Sequence, residues 1–343
     1  MPRSEVQKAV EDLAMRVASL EQTVAARLIE DYAAVYAQIQ AETSEIIAIA
    51  QRRELKPWQV GRMQRLKELE TQMVTRVNAF SRVVGSTVTE GQRAAVGLSV
   101  QGSPLTANAG LPRGITLDNL ANLGINWNQL PEGAFEAFVG VSGDGAPLGQ
   151  LLAELGQQSA TATKEAIRTG LATGESPVSI ANAVRRQAGM PLTRALTISR
   201  TEVLRAHREA TRLSYAANSN VVKGYRRLAS KDSDTCMACI ALDNTLYQTN
   251  QPLDSHPNCR CAIVPDVLSY KDLGLDIPDE PALQTGQQWF AGQGAATQKQ
   301  MMGNKTFAAY QDGKIQLHDL VSTTTSPVWG KMSTVKSAKA LGL

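Results

Sequence analysis

The first fifty residues carry the clearest apolar repeat in the chain. Alternating steps of four and three residues place apolar side chains on one face of an α-helix, as in a coiled coil. No proline interrupts this stretch, so we predict one long helix over residues 4–52. Its apolar positions are Val6, Val10, Leu13, Val17, Leu20, Val24, Leu28, Tyr32, Val35, Ile39, Ile46 and Ile49.

A second long helix is expected from Pro57, a residue type that suits the first turn of a helix. Two long helices joined by a short break predict an antiparallel hairpin, which we assign to residues 1–98. The hairpin can pack on later helices of the chain or dock on a partner, and we favour docking. Its second apolar face is formed by Met63, Leu66, Leu69, Met73, Val77, Phe80 and Val84.

The composition changes after residue 98. Gly, Ser, Pro and Asn are frequent in residues 99–113, which indicates a linker. We therefore assign residues 99–147 to a linker with short helices, one of them at Thr116–Leu123.

Three further helices are expected at 148–171, 176–187 and 193–218. Ser176 is a typical N-cap, and Pro177 suits the first helical position after it. Apolar and β-branched runs then predict short strands at 221–228, 245–247 and 261–264.

The predicted fold is mainly α. The N-terminal hairpin is followed by a helical subdomain at 148–267, which carries a small Cys/His-rich β module at 221–267, here called the Cys-rich module. A short helical tail covers 268–343. At 343 residues we expect two or three domains.

Composition and charge exclude few classes of function. The net charge of +3 is too small to indicate a partner, and the 43% hydrophobic content suffices for ordinary cores. No apolar run reaches the roughly 18 residues of a membrane-spanning helix, so no membrane span is expected. We see no signal peptide and expect synthesis in a reducing cytosol.

The four cysteines are concentrated in one short stretch. Cys236, Cys239, Cys259 and Cys261 fall within 26 positions, together with His256. A Cys-x-x-Cys pair can present two thiolates to one ion, and His256, Cys259 and Cys261 offer the remaining ligands of a tetrahedral zinc site. Cys259 and Cys261 would share one face of a strand. Five candidates for four positions leave one spare.

Other interpretations of this cluster remain open. The cysteines could form a buried cluster without metal, or pair as disulfides after oxidation, although a reducing cytosol disfavours disulfides. A catalytic zinc deaminase needs His-x-Glu ahead of Pro-Cys-x-x-Cys; His207-Arg-Glu209 precedes the Cys-x-x-Cys here, but Thr235 stands where that motif has proline. Nothing in the sequence assigns His256 to activate a particular thiol.

The predicted helix at 193–218 is basic. Residues 191–230 contain eight Arg and Lys against two Glu. The arginines form a solvated face that pairs with Glu202 and Glu209, or they contact DNA phosphates. We expect His207 to be structural rather than a ligand. The candidate DNA contacts are Arg194, Arg205, Arg208 and Arg212.

The cysteine motifs resemble a known family. The segment Lys223–Cys239 followed by His256-Pro-Asn-Cys-Arg-Cys261 is similar to the phage Mu F-like head morphogenesis family, the minor head (minor capsid) proteins of tailed phages. Arg200-Thr-Glu202 and Gly174-Glu-Ser-Pro177 also match its pattern. The resemblance covers roughly 150–267.

The chain departs from the family pattern at three positions. Arg227 stands where an aromatic is frequent, Asp234 where a basic residue is common, and Asn244 where a turn glycine is usual. Asn tolerates left-handed backbone angles, so the last change is mild. These differences concern the details of the site. We expect Arg200 and Glu202 to be polar anchors between their helix and the Cys-rich module.

The resemblance implies a minor head protein that associates with the portal inside the shell, near the portal vertex. Assembly would take place in the host cytoplasm. Its role would be procapsid assembly and head morphogenesis, extending to genome packaging or delivery. Expected partners are the portal protein, the major capsid or scaffolding protein, and packaged DNA.

Two other functional classes remain as alternatives. One is a DNA-binding internal virion protein that leaves with the genome, and the other is a zinc-dependent enzyme such as a nuclease. The chain contains no phosphate-binding loop, no His-Glu-x-x-His and no Gly-x-Ser-x-Gly motif, and it has three histidines. We therefore expect a protein that is not an enzyme.

Overall fold

The computed structural model describes residues 4–60, 62–143, 145–153, 155–276 and 283–343. The chain divides into two compact units. Unit 1 comprises Met1–Leu20, Gln92–Val139 and Val203–Leu343, and unit 2 comprises Glu21–Gly91 and Gly140–Glu202.

The long N-terminal helices form as predicted. Helix α1 runs over Glu5–Arg52, the short α2 over Pro57–Val60 and α3 over Gln64–Gly110. Most of the predicted apolar stripe of α1 is buried, including Val17, Leu28 and Ile39 at 0% exposure. A period close to that of the helix keeps these side chains on one face, which explains their common burial.

Within unit 2, α1 and α3 run antiparallel. Tyr32 packs on Phe80 with ring centroids 4.7 Å apart, and Arg76 donates to Glu42 at 3.1 Å. Positions that lie later in α1 therefore meet positions that lie earlier in α3. The predicted helical hairpin is confirmed.

Two further helices complete the core of unit 2. Helix α5 covers Leu155–Ala172 and α6 covers Pro177–Ala188, and a 3-10 turn precedes them. Ser176 caps α6 as predicted, because its hydroxyl accepts from the Ser179 amide at 3.2 Å. Gly170 lets these helices approach closely, since a Cβ there would lie 2.5 Å from Ile180.

The linker predicted from residue 99 is wrong over its first part, because α3 continues to Gly110. The small residues that suggested a linker serve close packing in unit 1. A Cβ at Gly102 would lie 2.6 Å from Leu13, and one at Gly110 would lie 3.3 Å from Val6. The short helix predicted next is confirmed as α4. It spans Leu117–Asn122.

Unit 1 contains the Cys-rich module and its supporting helix. Helix α7 covers Met190–Ala216, and its part from Val203 onward belongs to unit 1. A three-stranded antiparallel sheet follows α7 in the chain. The central strand β1 pairs with β2 on one side and β3 on the other. The elements of the module are β1 (Val222–Leu228), α8 (Met237–Ala241), β2 (Leu246–Tyr247) and β3 (Ala262–Val267).

The tail is not only helical. The predicted short helices are present, and the chain then forms a β-hairpin that the sequence did not predict. The first strand of this hairpin has no fully buried residue and is rich in Thr and Ser, so it lacks the apolar alternation that signals a strand. The tail elements are α9 (Gly286–Ala291), α10 (Ala295–Met302), α11 (Asn304–Gln311), β4 (Val321–Ser326) and β5 (Gly330–Val335).

The tail and the Cys-rich module share one hydrophobic core. Phe290, Leu317 and Leu320 are at most 2% exposed and pack in the same cluster as Tyr225 and Ile240 of the module. The divisions between the two units, among them those after Val139 and after Glu202, differ from the predicted boundaries at 147 and 267. No helix among the described residues is long and apolar enough to cross a membrane.

Two glycines should respond in opposite ways to alanine. A Cβ at Gly286 would lie 2.2 Å from the Ile240 carbonyl oxygen, so Gly286→Ala should lower the free energy of unfolding by about 1–3 kcal/mol. Gly97, inside α3, has nothing within 4 Å of its Cβ position, so Gly97→Ala should raise that free energy by roughly 0.5–1 kcal/mol. Chemical denaturation of both variants measures this. A destabilised Gly97→Ala variant would contradict the packing of α3.

Candidate metal centre

The first ligand segment is the start of α8. Cys236 is the N-cap of this helix, and its Sγ accepts from the Cys239 amide at 3.4 Å. A cap and a residue three positions later lie on the same side of the first turn, so both sulfurs face one point. Asp232 holds the preceding turn by accepting from the Thr235 hydroxyl at 2.9 Å.

The second ligand segment is the loop that leads into β3. The Cys259 amide donates to the His256 carbonyl at 3.1 Å, and Asn258 adopts a left-handed backbone with φ 62°. This turn brings His256 and Cys259 to the same side. Cys259 and Cys261 precede β3 rather than lying in it, so their predicted placement on one strand face is wrong.

The orientation of the His256 ring suits a metal ligand. Its Nδ1 lies 2.8 Å from the Pro257 carbonyl, which can only accept, so Nδ1 carries the proton. Nε2 is then left without a proton in the neutral ring and points at the sulfurs. A second hydrogen bond that fixes the ring in this way is usual for histidines that bind metal.

The donor atoms lie at metal-site distances. The Sγ atoms of Cys236 and Cys239 are 3.1 and 3.3 Å from His256 Nε2, and Cys239 Sγ is 3.8 Å from Cys259 Sγ. A tetrahedral ion with bonds of about 2.3 Å to sulfur and 2.0 Å to nitrogen needs edges of about 3.5–3.8 Å. The sulfurs are therefore close to the vertices of such a site, and all four thiols are free.

The structure brings all five predicted residues together, in two overlapping groups. Cys236, Cys239 and His256 form one group, and Cys239, Cys259 and Cys261 form the other. Within each group the donor atoms lie within 4.8 Å of one another. Cys239 belongs to both, so it is the centre of the cluster, which can hold a metal ion.

Without a metal, the pKa values of the cysteine thiols in the cluster differ widely. The pKa of Cys236 is lowered to about 4, mainly by hydrogen bonds from Cys239 and His256, and the pKa of Cys259 is lowered by its contacts with Cys239 and Cys261. The pKa of Cys239 is raised because neighbouring sulfurs disfavour another charge. Hydrogen bonding to Cys236 raises the pKa of His256 to about 9. Metal binding must therefore release protons.

A cavity reaches one of the ligands. Cys236, the least buried of the four cysteines, lines a cavity of about 560 Å³ together with Met301 and Met302. The other three thiols are buried. An ion from solvent would thus meet Cys236 first.

Helix α7 is tied to the second ligand segment by Arg208. This side chain is 3% exposed, and its Nη1 donates to the carbonyls of Cys259 and Cys261 at 3.1 and 3.3 Å. Its Nη2 donates to the Ser255 hydroxyl at 3.1 Å. Arg208 therefore fixes the loop backbone from which the ligands project.

The predicted DNA-binding face on α7 is wrong at two of its four arginines. Arg208 is buried as described, and Arg212 binds Glu209 at 2.8 Å and the Thr249 carbonyl at 2.7 Å. The other three candidate arginines, Arg194, Arg205 and Arg212, are half-buried. The acceptors of Arg208 and Arg212 are groups of the chain itself. Arg205 donates to the Phe138 carbonyl at 3.4 Å.

The other polar residues of α7 serve packing. His207 is buried and its Nδ1 lies 2.6 Å from the Ser99 hydroxyl, so the expectation of a structural histidine is confirmed. Glu202 accepts from the Gly143 amide, and Arg200 pairs with Glu21 in unit 2. Arg200 and Glu202 are therefore polar anchors, but these contacts do not reach the Cys-rich module.

Sequence reasoning missed one residue that touches the cluster. Arg227 on β1 is 1% exposed, and its Nη1 lies 3.7 Å from Cys239 Sγ. In the sequence, Arg227 stands out only as a departure from the pattern of the family that the chain resembles. Two adjacent arginines on a strand point to opposite faces, but the sequence does not say which face meets the cysteines.

Removing the Arg208 guanidinium should loosen the Cys-rich module. Arg208→Met leaves two buried carbonyls without these donors, which should lower the free energy of unfolding by about 1–3 kcal/mol. Arg168→Met is the control, because Arg168 is half exposed and pairs only with Glu165 on its own helix. Thermal and urea unfolding measure both. Equal stability of the two variants would show that Arg208 does not hold the loop.

A comparison with known families covers this region. Residues 161–264 match the model of the family described as Phage Mu protein F like protein. The match begins in α5 and includes α6, α7, β1 and both ligand segments. No curated protein and no solved structure matches the chain significantly. Over residues 161–264 the chain is therefore similar to the family described as Phage Mu protein F like protein, in agreement with the resemblance of its cysteine and histidine motifs.

Proposed function

We propose that this protein is a minor head protein of a tailed phage that joins the portal vertex during procapsid assembly. The family match over residues 161–264 carries the proposal. The role is architectural rather than enzymatic. Location inside the head and an effect on genome packaging or delivery belong to the same proposal.

We also propose that the metal is zinc, held by Cys236, Cys239, His256 and Cys259. Three thiolates and one imidazole are a common donor set for structural zinc. We choose Cys259 as the fourth ligand because its Sγ is 3.8 Å from Cys239 Sγ and because it lies in the same turn as His256. Four protein ligands leave no position for a reactive water, which supports a structural site.

The zinc would join two segments that are distant in sequence. Cys236 and Cys239 begin α8, whereas His256 and Cys259 lie in the loop before β3. When bound, the ion supplies four strong bonds between them. The surrounding residues then only need to orient the ligands, as Arg208 does for the loop backbone and Pro257 for the histidine ring.

Exposed apolar side chains on the long helices support docking on a protein partner. Met15 on α1 and Leu105 on α3 are each 63% exposed, and both belong to unit 1. Large apolar groups contribute strongly to protein interfaces when they enter a pocket of the partner. These two residues are our candidates for contact with the portal protein.

Substitution of single cysteines should separate zinc ligands from the spare thiol. Cys239→Ser should abolish stoichiometric zinc binding and lower the melting temperature, because Cys239 lies at the centre of the cluster. Cys261→Ser is the control and should keep one zinc per chain. Elemental analysis of the purified full-length protein measures the metal, and calorimetry measures melting. Zinc retained by Cys239→Ser but lost from Cys261→Ser would reverse the assignment.

The portal interaction can be tested by co-purification. The double variant Met15→Asp/Leu105→Asp should bind the co-expressed portal protein at least about tenfold less than wild type, with unchanged melting. Leu123→Asp, at a residue 76% exposed outside the long helices, is the control and should bind normally. Unchanged binding by the double variant would show that Met15 and Leu105 do not contact the portal protein.

Mass spectrometry of phage particles tests the assignment itself. We expect a few copies per particle from the procapsid stage onward, cross-linked to the portal protein. A protein missing from procapsids and from filled heads would refute the minor head assignment. Copies that are lost from emptied heads would instead indicate delivery with the genome.

A further inference from the structure

Arg227 places a positive charge inside the Cys-rich module. The residue is on the central strand β1 and is 1% exposed. Its Nη2 donates to the Asp254 carbonyl at 3.0 Å, its Nη1 lies 3.7 Å from Cys239 Sγ, and its guanidinium carbon is 5.9 Å from the centre of the Tyr247 ring. Its Nε is buried with no hydrogen-bond partner.

This charge has no carboxylate partner. Among the residues that the structure describes, no Asp or Glu lies within ion-pair distance of Arg227 or of Arg208. A buried ion without a counter-charge is strongly destabilising, because the low-polarity interior does not replace its hydration. The ionisable groups beside Arg227 are the cysteines and Tyr247. A thiol ionises more readily than a phenol, so the cluster is the better source of an anion that stabilises Arg227.

We infer that Arg227 is the counter-ion of a thiolate–metal cluster, and this inference rests on the zinc site proposed above. A divalent ion with three thiolates and a neutral imidazole has a net charge of −1, and a fourth thiolate makes it −2. The guanidiniums of Arg227 and Arg208 together contribute +2. Arg227 contacts a sulfur atom directly, whereas Arg208 contacts carbonyl and hydroxyl oxygens. Arg227 is thus a positioning residue that acts through the charge of the ligands.

The inference predicts that the charge of Arg227, rather than its packing, sets the zinc affinity. With metal bound, Arg227 stabilises the excess negative charge, so its removal should weaken metal binding. A lysine at this position keeps the charge, so it should recover part of the affinity. A side chain that served only packing would lower stability when removed and leave zinc affinity unchanged.

The test compares three variants of the full-length protein with zinc as the probe. Arg227→Met removes the charge and retains an apolar side chain, and Arg227→Lys retains the charge. Arg226→Met is the matched control, because Arg226 is the neighbouring strand residue and pairs with Asp266 at 3.2 Å. Competition with a chromophoric chelator gives the zinc affinity, and melting is measured with zinc and after chelation.

We expect Arg227→Met to bind zinc about 10–100-fold more weakly than wild type, the usual loss for an outer partner of metal ligands. Arg227→Lys should lose less, and Arg226→Met should stay within about twofold. Unchanged zinc affinity of Arg227→Met, or no recovery of affinity in Arg227→Lys, would overturn the inference while leaving the zinc site intact. Wild-type protein without zinc would overturn both.

Discussion

The Cys-rich module depends on the contacts that two buried arginines make with the segments that carry its four cysteines. Arg208 reaches from α7 to the backbone carbonyls of Cys259 and Cys261, and Arg227 reaches from β1 to the Sγ of Cys239. A helix, a strand and a loop are thereby held around the cysteine cluster. Because charges in the interior need close partners, their positions are coupled far more tightly than those of apolar side chains. This coupling explains how a small sheet can present donor atoms at metal-site distances.

The long helices depend on a different constraint, which is close approach of their backbones. Small residues late in α3 allow Leu13 and Val6 of α1 to pack where a larger side chain would clash. The hydroxyls of the same stretch are also satisfied inside the fold, as in the bond between Thr106 and Tyr215 at 2.9 Å. Glycine and serine there increase contact between helices rather than flexibility.

These two constraints suit the architectural role that we propose. The module, the last part of α3 and the tail share a single core, so an ion in the module would stabilise the unit that also displays Met15 and Leu105. A protein that joins an assembly needs a rigid unit more than a reactive site, since ordering a flexible surface on binding reduces affinity. The structural zinc site that we propose, with four protein ligands, is consistent with such a unit.

The sequence by itself determined the features that depend on local spacing. The apolar repeat predicts α1 and most of α3, Ser176 and Pro177 predict the start of α6, and the cysteine spacing identifies the candidate ligands. Tertiary structure decided the features that depend on which faces meet. It turned a predicted linker into the end of α3, and it formed β4 and β5 from polar residues without an apolar alternation. It also placed Arg208, a predicted DNA contact, in the interior. The physical reason is that glycine, threonine and arginine each suit several environments, and only contacts between distant segments select one.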